Sequence, residues 1–355
     1  YNSSSMASTV RTKARSTIQE FDLIRTLHRR HGRRTPSVIR GIGDDAAVVT
    51  SGIGRWSLLT TDLLAEGIHF DLQTATMADI GFRAAAANLS DIAAMGGTPQ
   101  YLLVALAIPR TGTKQHVLQL YRGMMAACRS HHVELIGGDT SASSAGWFIS
   151  VTLVGMVPPR KALFRSGARV GDLLYVTGTV GDALAGLMLL NEPPRKKRHP
   201  RTTALSVRHR QFLIGRHLHP TARLAEGQWL SAYRFATSAI DISDGLSGDL
   251  RHICEESHVG VDLNLDALPL SPACRAYAAS RQLDRVALAL TGGEDYELLF
   301  TLSPRHKTQV ERAAKLRRFR MTHIGTIRPA RNGIQAIGPD KTRRPVPNTS
   351  YEHFR

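Results

Sequence analysis

Cysteine is scarce in this chain. Its 355 residues hold three, Cys128, Cys254 and Cys274, far apart and with no C-x-x-C pair. That excludes a disulfide framework and a thiolate zinc site, and it fits a reducing cytoplasm. Long apolar runs are missing as well. The most apolar stretch, Tyr101 to Ile108, is closed by Pro99 and Pro109, well short of the roughly 18 residues a membrane span needs. The first residues show no apolar core of a secretory signal. No G-x-x-x-x-G-K-[ST] occurs, so a P-loop cannot be the phosphate cradle. Aromatic residues make up 6% and do not interleave with the basic runs in the repeated way that gives stacking platforms for bases. Acidic residues are outnumbered 29 to 46, giving a formal charge of +17. The excess sits in Arg195 to Arg198, in the run Arg305 to Arg320 and in Arg343-Arg344, which read as a solvated basic surface rather than a nucleic-acid footprint. Membranes and nucleic acids are therefore not expected partners. No Ser-His or Cys-His pairing suited to nucleophilic catalysis stands out.

What is present suits a globular protein: 42% hydrophobic and 21% charged residues. The length predicts two domains, each burying its own core. A Ser/Thr-rich arm over residues 1–16, disordered or appended, precedes an N-terminal domain over 17–160 and a C-terminal domain over 161–355. The Pro, Lys and Arg of 193–203 read as an inserted basic loop. Ile18, Phe21, Leu23, Ile24 and Leu27 recur at helical spacing up to Gly32, and Met77 to Met95 is an alanine-rich helix. Short buried strands are expected at 46–49, 57–61, from 101, at 133–136, at 173–177, at 237–240, up to 302 and at 322–327, with a hairpin-like pair over 147–157. Strands alternating with helices in both halves predict an α/β fold with mixed, α+β-like sheets.

Against the basic background, the acidic residues share one design. Gly43-Asp44-Asp45, Thr60-Thr61-Asp62, Gly137-Gly138-Asp139 and Asp241-Ile242-Ser243-Asp244-Gly245 each place Asp where a strand-like run meets a small residue, and Asn88 and Asp91 share a helix face one turn apart. Each Asp alone reads as a turn or helix-cap residue. Together they read as oxygen ligands for a hard divalent cation, with glycines letting a ligand approach the backbone. Gly41-Ile42-Gly43-Asp44-Asp45-Ala46 also spells a dinucleotide fingerprint, but the residues after it are strand-like and supply no helix N-terminus for a pyrophosphate. Metal-carried binding of a polyphosphate is the reading the residues favour.

These segments, with His69-Phe70, Asn88-Leu89-Ser90-Asp91-Ile92-Ala93-Ala94-Met95-Gly96 and Gly292-Gly293-Glu294-Asp295-Tyr296-Glu297, resemble the motif series of the thiamine-monophosphate kinases, in order and spacing from about Phe21 to Phe354. The resemblance implies the two-domain fold of the aminoimidazole-ribotide synthetase superfamily and transfer of the γ-phosphoryl group of ATP to thiamine monophosphate. It implies that Asp45, Thr60, Thr61, Asp62, Asp91, Asp139, Asp241 and Asp244 hold several Mg²⁺ ions. ATP would meet Gly138, Asp139, Arg165 and Ser243, and the thiamine side would meet His69, Glu294 and Tyr351. Asp44 is expected to be a turn residue or a support for the ligands. It further implies a homodimer that pairs through the sheets of its N-terminal domains. The alternatives are another ATP-using member of that superfamily, of selenophosphate or aminoimidazole-ribotide synthetase type, and a basic nucleic-acid binder with structural metal.

Overall fold

A computed structural model describes residues 19–32, 35–50, 54–193, 205–347 and 351. The arm expected over 1–16 lies outside the described residues, as does the basic loop 193–203 apart from Pro193.

The first half runs α1 (Glu20–His31), β1 (Val38–Arg40), β2 (Ala47–Thr50), β3 (Trp56–Ala65), α2 (Met77–Ala94), β4 (Thr98–Pro109), α3 (Lys114–Cys128), β5 (Glu134–Ser143) and β6 (Phe148–Val157). Its six strands form one sheet in the order β1-β2-β3-β6-β4-β5, antiparallel except for the parallel β4–β5 pair that α3 connects. The second half runs β7 (Leu173–Thr177), α4 (Asp182–Leu190), α5 (Val207–Leu218), α6 (Leu224–Tyr233), β8 (Ala236–Asp241), α7 (Leu246–Ser257), β9 (Val259–Asn264), α8 (Pro272–Arg281), α9 (Arg285–Thr291), β10 (Leu298–Leu302), α10 (Lys307–Arg317), β11 (Met321–Pro329), β12 (Ile334–Ile337) and β13 (Arg343–Pro345). These strands build a seven-stranded sheet, β13-β12-β9-β11-β7-β10-β8, in which only β12–β9 is parallel. Both sheets are mixed, as the sequence predicts.

Several strands run further than their apolar residues suggest. β3 continues to Ala65 because it pairs with β6 over ten residues, Trp56↔Val157 to Ala65↔Phe148. Thr60, Thr61 and Asp62 therefore sit inside a ladder, not at a strand end. The hairpin expected over 147–157 is instead the single long strand β6 that supplies this partner. Pro99 does not close β4 from outside; it lies within the strand beside an irregularity in the register, where a residue without a backbone N–H is tolerated. The glycines 137 and 138 are likewise inside β5.

The helix α2 opens with a reciprocal cap: the Thr76 hydroxyl accepts from the Asp79 amide and the Asp79 carboxylate accepts from the Thr76 amide. Its small residues are buried along nearly the whole length. At its far end α6 crosses so closely that a Cβ on Gly227 would lie 2.0 Å from the carbonyl oxygen of Ala93. This crossing alters the expectation of two separate cores. One buried cluster joins Ile92 and Leu153 of the first half to Leu230, Phe235, Phe300 and Val310 of the second, while another lies wholly within the second half. Apolar contact across the halves thus fixes α2, and with it Asp91, against β8.

Candidate active site

In an antiparallel ladder, directly paired residues share a face. Asp62 pairs with Val151, which pairs with Val104; both valines are fully buried, so Asp62 and, two residues earlier, Thr60 face the protein interior. Thr61 faces the other way, and the hydroxyl of Thr152 lies 3.0 Å from its own. Asp139 shares the row of Ala105, Ser150 and the 55% exposed Leu63, so it too is on the outer face. Gly138 beside it packs so tightly that a Cβ would lie 1.9 Å from the Val104 carbonyl oxygen.

On the inner face, carboxylate oxygens of Asp45, Asp91 and Asp241 come within 4.8 Å of one another. Asp45 arrives from the loop before β2, Asp91 from the last turn of α2 and Asp241 from the end of β8. Few groups neutralise them. Arg165 donates from Nε to Asp45 Oδ1 at 2.8 Å, Ser90 donates to Asp241 Oδ2 at 2.6 Å, and the Thr60 hydroxyl donates to Asp91. Asp45 Oδ2 is buried with no hydrogen-bond partner. Burial and the neighbouring negative charges push these groups up: Asp45 to about 8 despite Arg165, Asp62 to about 7 with Asp241 beside it, and Asp91 well above the carboxylate range. Asp241 is also raised, chiefly by burial. An orphaned buried oxygen among repelling carboxylates is a donor set that fits a hard divalent cation.

Arg165 is itself held. Its backbone amide donates to Asp44 Oδ1 at 3.3 Å, and Asp44 Oδ2 accepts from Arg40 Nε at 2.7 Å. Asp44 therefore supports the arginines rather than joining the cluster, the role its position allowed.

The loop behind Asp241 links this cluster to a second group of residues. The Ser243 carbonyl accepts from the Glu294 amide at 2.8 Å, and the Asp244 carbonyl accepts from the Tyr351 amide at 3.2 Å. Burial first, then Glu20 and Asp241, raise Asp244 to about 7. His69 sits in the turn after β3, its Nδ1 accepting from the Ala65 amide at 3.0 Å.

Comparison with known proteins bears on this arrangement. Residues 43–157 match the family model described as AIR synthase related protein, N-terminal domain. The chain is 33% identical to the thiamine-monophosphate kinase of Bacillus subtilis over 95% of its length and 100% of that protein, and 37% identical to that of Haemophilus influenzae over 87% and 89%. The chain belongs to the thiamine-monophosphate kinase family. Its fold agrees with a solved structure of AaThiL complexed with AMPPCP and TMP, at 33% identity and a TM-score of 0.81, over 97% of this chain and 100% of that one.

Within the family's acidic motifs, the structure separates residues that the sequence leaves alike. Asp45, Asp91 and Asp241 converge, with Thr60 and Asp62 on the same face; Thr61, Gly138 and Asp139 do not join them within one chain. The Gly292 to Glu297 motif divides too. Glu294 faces Arg83 and His217, whereas Asp295 accepts from the Ala183 and Gly181 amides at the start of α4. Glu297 is fully buried and accepts bidentately from Arg223, from Arg216 Nη2 at 2.9 Å and from Thr177 at 2.7 Å. Sequence reasoning missed Arg40, Arg83, Ser90, His217 and Asp249. Ser90 lies inside a quoted motif, and Arg83 is a lone cation in an alanine-rich helix, so those two carried a signal. Asp249 is buried, accepts from the Gly245 amide at 3.1 Å and is raised well above its usual range by burial and by Asp244 and Asp241. Among the described residues, no helix is long and apolar enough to cross a membrane.

Proposed function

We propose that this chain transfers the γ-phosphoryl group of ATP to the phosphate of thiamine monophosphate, giving thiamine diphosphate and ADP in a direct in-line step. The observation that carries the reading is the convergence of Asp45, Asp91 and Asp241, under-neutralised, next to Arg165. Asp45, Asp91 and Asp241 would hold Mg²⁺, with Thr60, Asp62 and Asp244 completing the oxygen set. Bound Mg²⁺ would screen the repulsion between two phosphate groups and stabilise charge on the group in transfer. The rest falls to the chain. Arg165 presents a planar guanidinium that Asp45 orients and whose backbone Asp44 anchors, suiting it to grip phosphate oxygens of ATP with Ser243. Glu294, Tyr351 and His69 would receive the thiamine end. Glu294 and Tyr351 hang on the backbone of the loop that carries Asp244, so acceptor and donor sites are held to one frame. A protein nucleophile is unnecessary, since alignment of two bound phosphates suffices.

Thr61, Gly138 and Asp139 would act from the outer face of the first sheet. That face also exposes Leu59, Leu63, Tyr101 and Phe148, an apolar surface suited to a homodimer pairing through its sheets. A division into two domains near residue 160 and a cytoplasmic location, in keeping with three free buried cysteines, belong to the same reading. Incubating the purified protein with Mg²⁺, ATP and thiamine monophosphate, then separating products by chromatography, tests it; a folded, metal-supplied protein that forms no thiamine diphosphate ends the proposal. Light scattering on the wild type and on Leu63→Lys tests the dimer, which the substitution should dissociate.

A further inference from the structure

Glu294 is expected to face thiamine, yet its carboxylate is not free. Arg83, only 3% exposed on α2, donates to Oε1, and Nδ1 of His217 on α5 stands 3.3 Å from Oε2 without hydrogen-bond geometry. The three residues come from separate elements of both halves, 211 positions apart in the case of Arg83 and Glu294. Glu294 itself holds a left-handed backbone, φ 62°, which a non-glycine residue adopts only at some cost. Two further features mark the group as built to hold something. Arg83 Nε and His217 Nδ1 are both buried without a hydrogen-bond partner, a state that a well-packed interior avoids. His217 is also kept neutral: burial, then the charge of Arg83, push it down to about 4 although Glu294 pulls the other way.

We infer that Arg83 and His217 are positioning residues for the acceptor, clamping the Glu294 carboxylate in the one orientation that meets the thiamine end of the substrate. The inference rests on the reading that Glu294 contacts thiamine monophosphate. A carboxylate oxygen accepts more than one hydrogen bond, so each oxygen of Glu294 keeps a lone pair for substrate while Arg83 and His217 set the plane. Arg83 offsets much of the negative charge, so what Glu294 presents is a directed acceptor rather than a loose anion. A neutral His217 can donate to Oε2 after a small shift, which would satisfy its orphaned nitrogen when substrate draws the carboxylate into line. Because Arg83 rides on the helix that carries Asp91 in its last turn, the clamp also ties acceptor placement to the cluster that serves the phosphates.

The test is steady-state kinetics on the full chain, varying thiamine monophosphate and ATP separately, with melting curves alongside. Arg83→Lys keeps the charge and loses the fork; it and Arg83→Gln should raise KM for thiamine monophosphate about tenfold while leaving KM for ATP within about twofold and kcat within about threefold. His217→Gln should shift the same constant by a smaller factor, about threefold, and it reads the clamp even if Arg83→Gln does not fold. Combining Arg83→Gln or Arg83→Lys with Glu294→Gln should raise KM no further than Glu294→Gln alone. Additive effects, or Arg83 and His217 variants that lower the melting temperature with KM for thiamine monophosphate unchanged, would overturn the inference. Failure of the underlying reading looks different: Glu294→Gln itself would then leave that KM where it was.

Discussion

The molecule buries two groups of carboxylates, and they are treated in opposite ways. Glu297 sits at the centre of a full complement of donors, Arg223, Arg216 and Thr177, and although burial works against ionisation these partners hold it below the usual carboxylate range. Asp45, Asp91 and Asp241 converge with Arg165 as the nearby cation and with one oxygen unpartnered, and burial first of all raises all three above that range, Asp91 well above it. Burial of acid is common to both, so it does not distinguish them. The count of partners does: a compensated carboxylate is finished as structure, and an uncompensated group keeps oxygens that fit a cation.

The comparison breaks most visibly at Asp91. Asp91→Asn should reduce turnover on the order of 10³-fold, as loss of transition-state electrostatics does, and leave the metal-free melting temperature little changed, because burial and the neighbouring acids already disfavour a charge at Asp91. Retained activity would remove Asp91 from the metal set. At Glu297 the currencies reverse. Glu297→Gln leaves Arg216 and Arg223 buried without their main counter-charge, which costs about 3 kcal/mol or more, while Asp182 and Glu226, each 3.9 Å from one of these arginines, offset part of the loss. Urea unfolding reads this, and an unchanged midpoint would refute the structural assignment.

Proton linkage separates the clusters next. Folded Asp62 and Asp244 keep their protons to about pH 7 and Asp45 to about 8, whereas the unfolded chain releases them near 3.8. The folded state therefore binds more protons in this window, and the metal-free chain loses stability as pH rises from 6.5 through 8. The histidines held near 4, His217 and His252, act with the opposite sign and mainly below pH 6.5, where the unfolded chain charges them. Melts in EDTA should fall across this range, and Mg²⁺ should raise the melting temperature more at pH 8 than at pH 6.5. A flat EDTA profile would count against the raised carboxylates.

The smallest effects come from single hydroxyls. Ser90→Ala removes the donor to Asp241 and should weaken Mg²⁺-dependent nucleotide binding about fivefold with little change in stability; Thr177→Val removes the donor to Glu297 and should cost about 1 kcal/mol of stability with binding intact. Titration calorimetry and urea melts on the two variants test the exchange directly.

Much of the fold was legible in the chain. The strand from Leu173 to Thr177, the helix after Asp182, the alanine-rich α2 and the glycine stop after α1 arise from local periodicity and caps, which are properties of neighbours in sequence. Strand ends were not legible, because β3 and β4 persist only where β6 offers hydrogen bonds, and the β6 partners lie some forty to a hundred residues away in sequence. The acidic motifs were equally visible, yet Thr60 and Thr61 are chemically alike and only ladder register turns one inward and the other outward. Glu294, Asp295 and Glu297 stand in one short motif and end as a partner of Arg83 and His217, a helix cap and the hub of a buried ion network.

By itself the sequence determined which residue types the protein would use, that it carries repeated acidic motifs with neither a P-loop nor paired thiols, and which family its motifs belong to. These are matters of composition and order. Only the tertiary structure decided that Asp45, Asp91 and Asp241 meet, that Asp44 is spent on Arg40 and Arg165, and that Arg83 reaches across to Glu294. Such convergence depends on how α2 packs between two sheets, through apolar contacts spread over both halves of the chain. No local pattern encodes the distance between two side chains that the backbone separates by 150 residues or more.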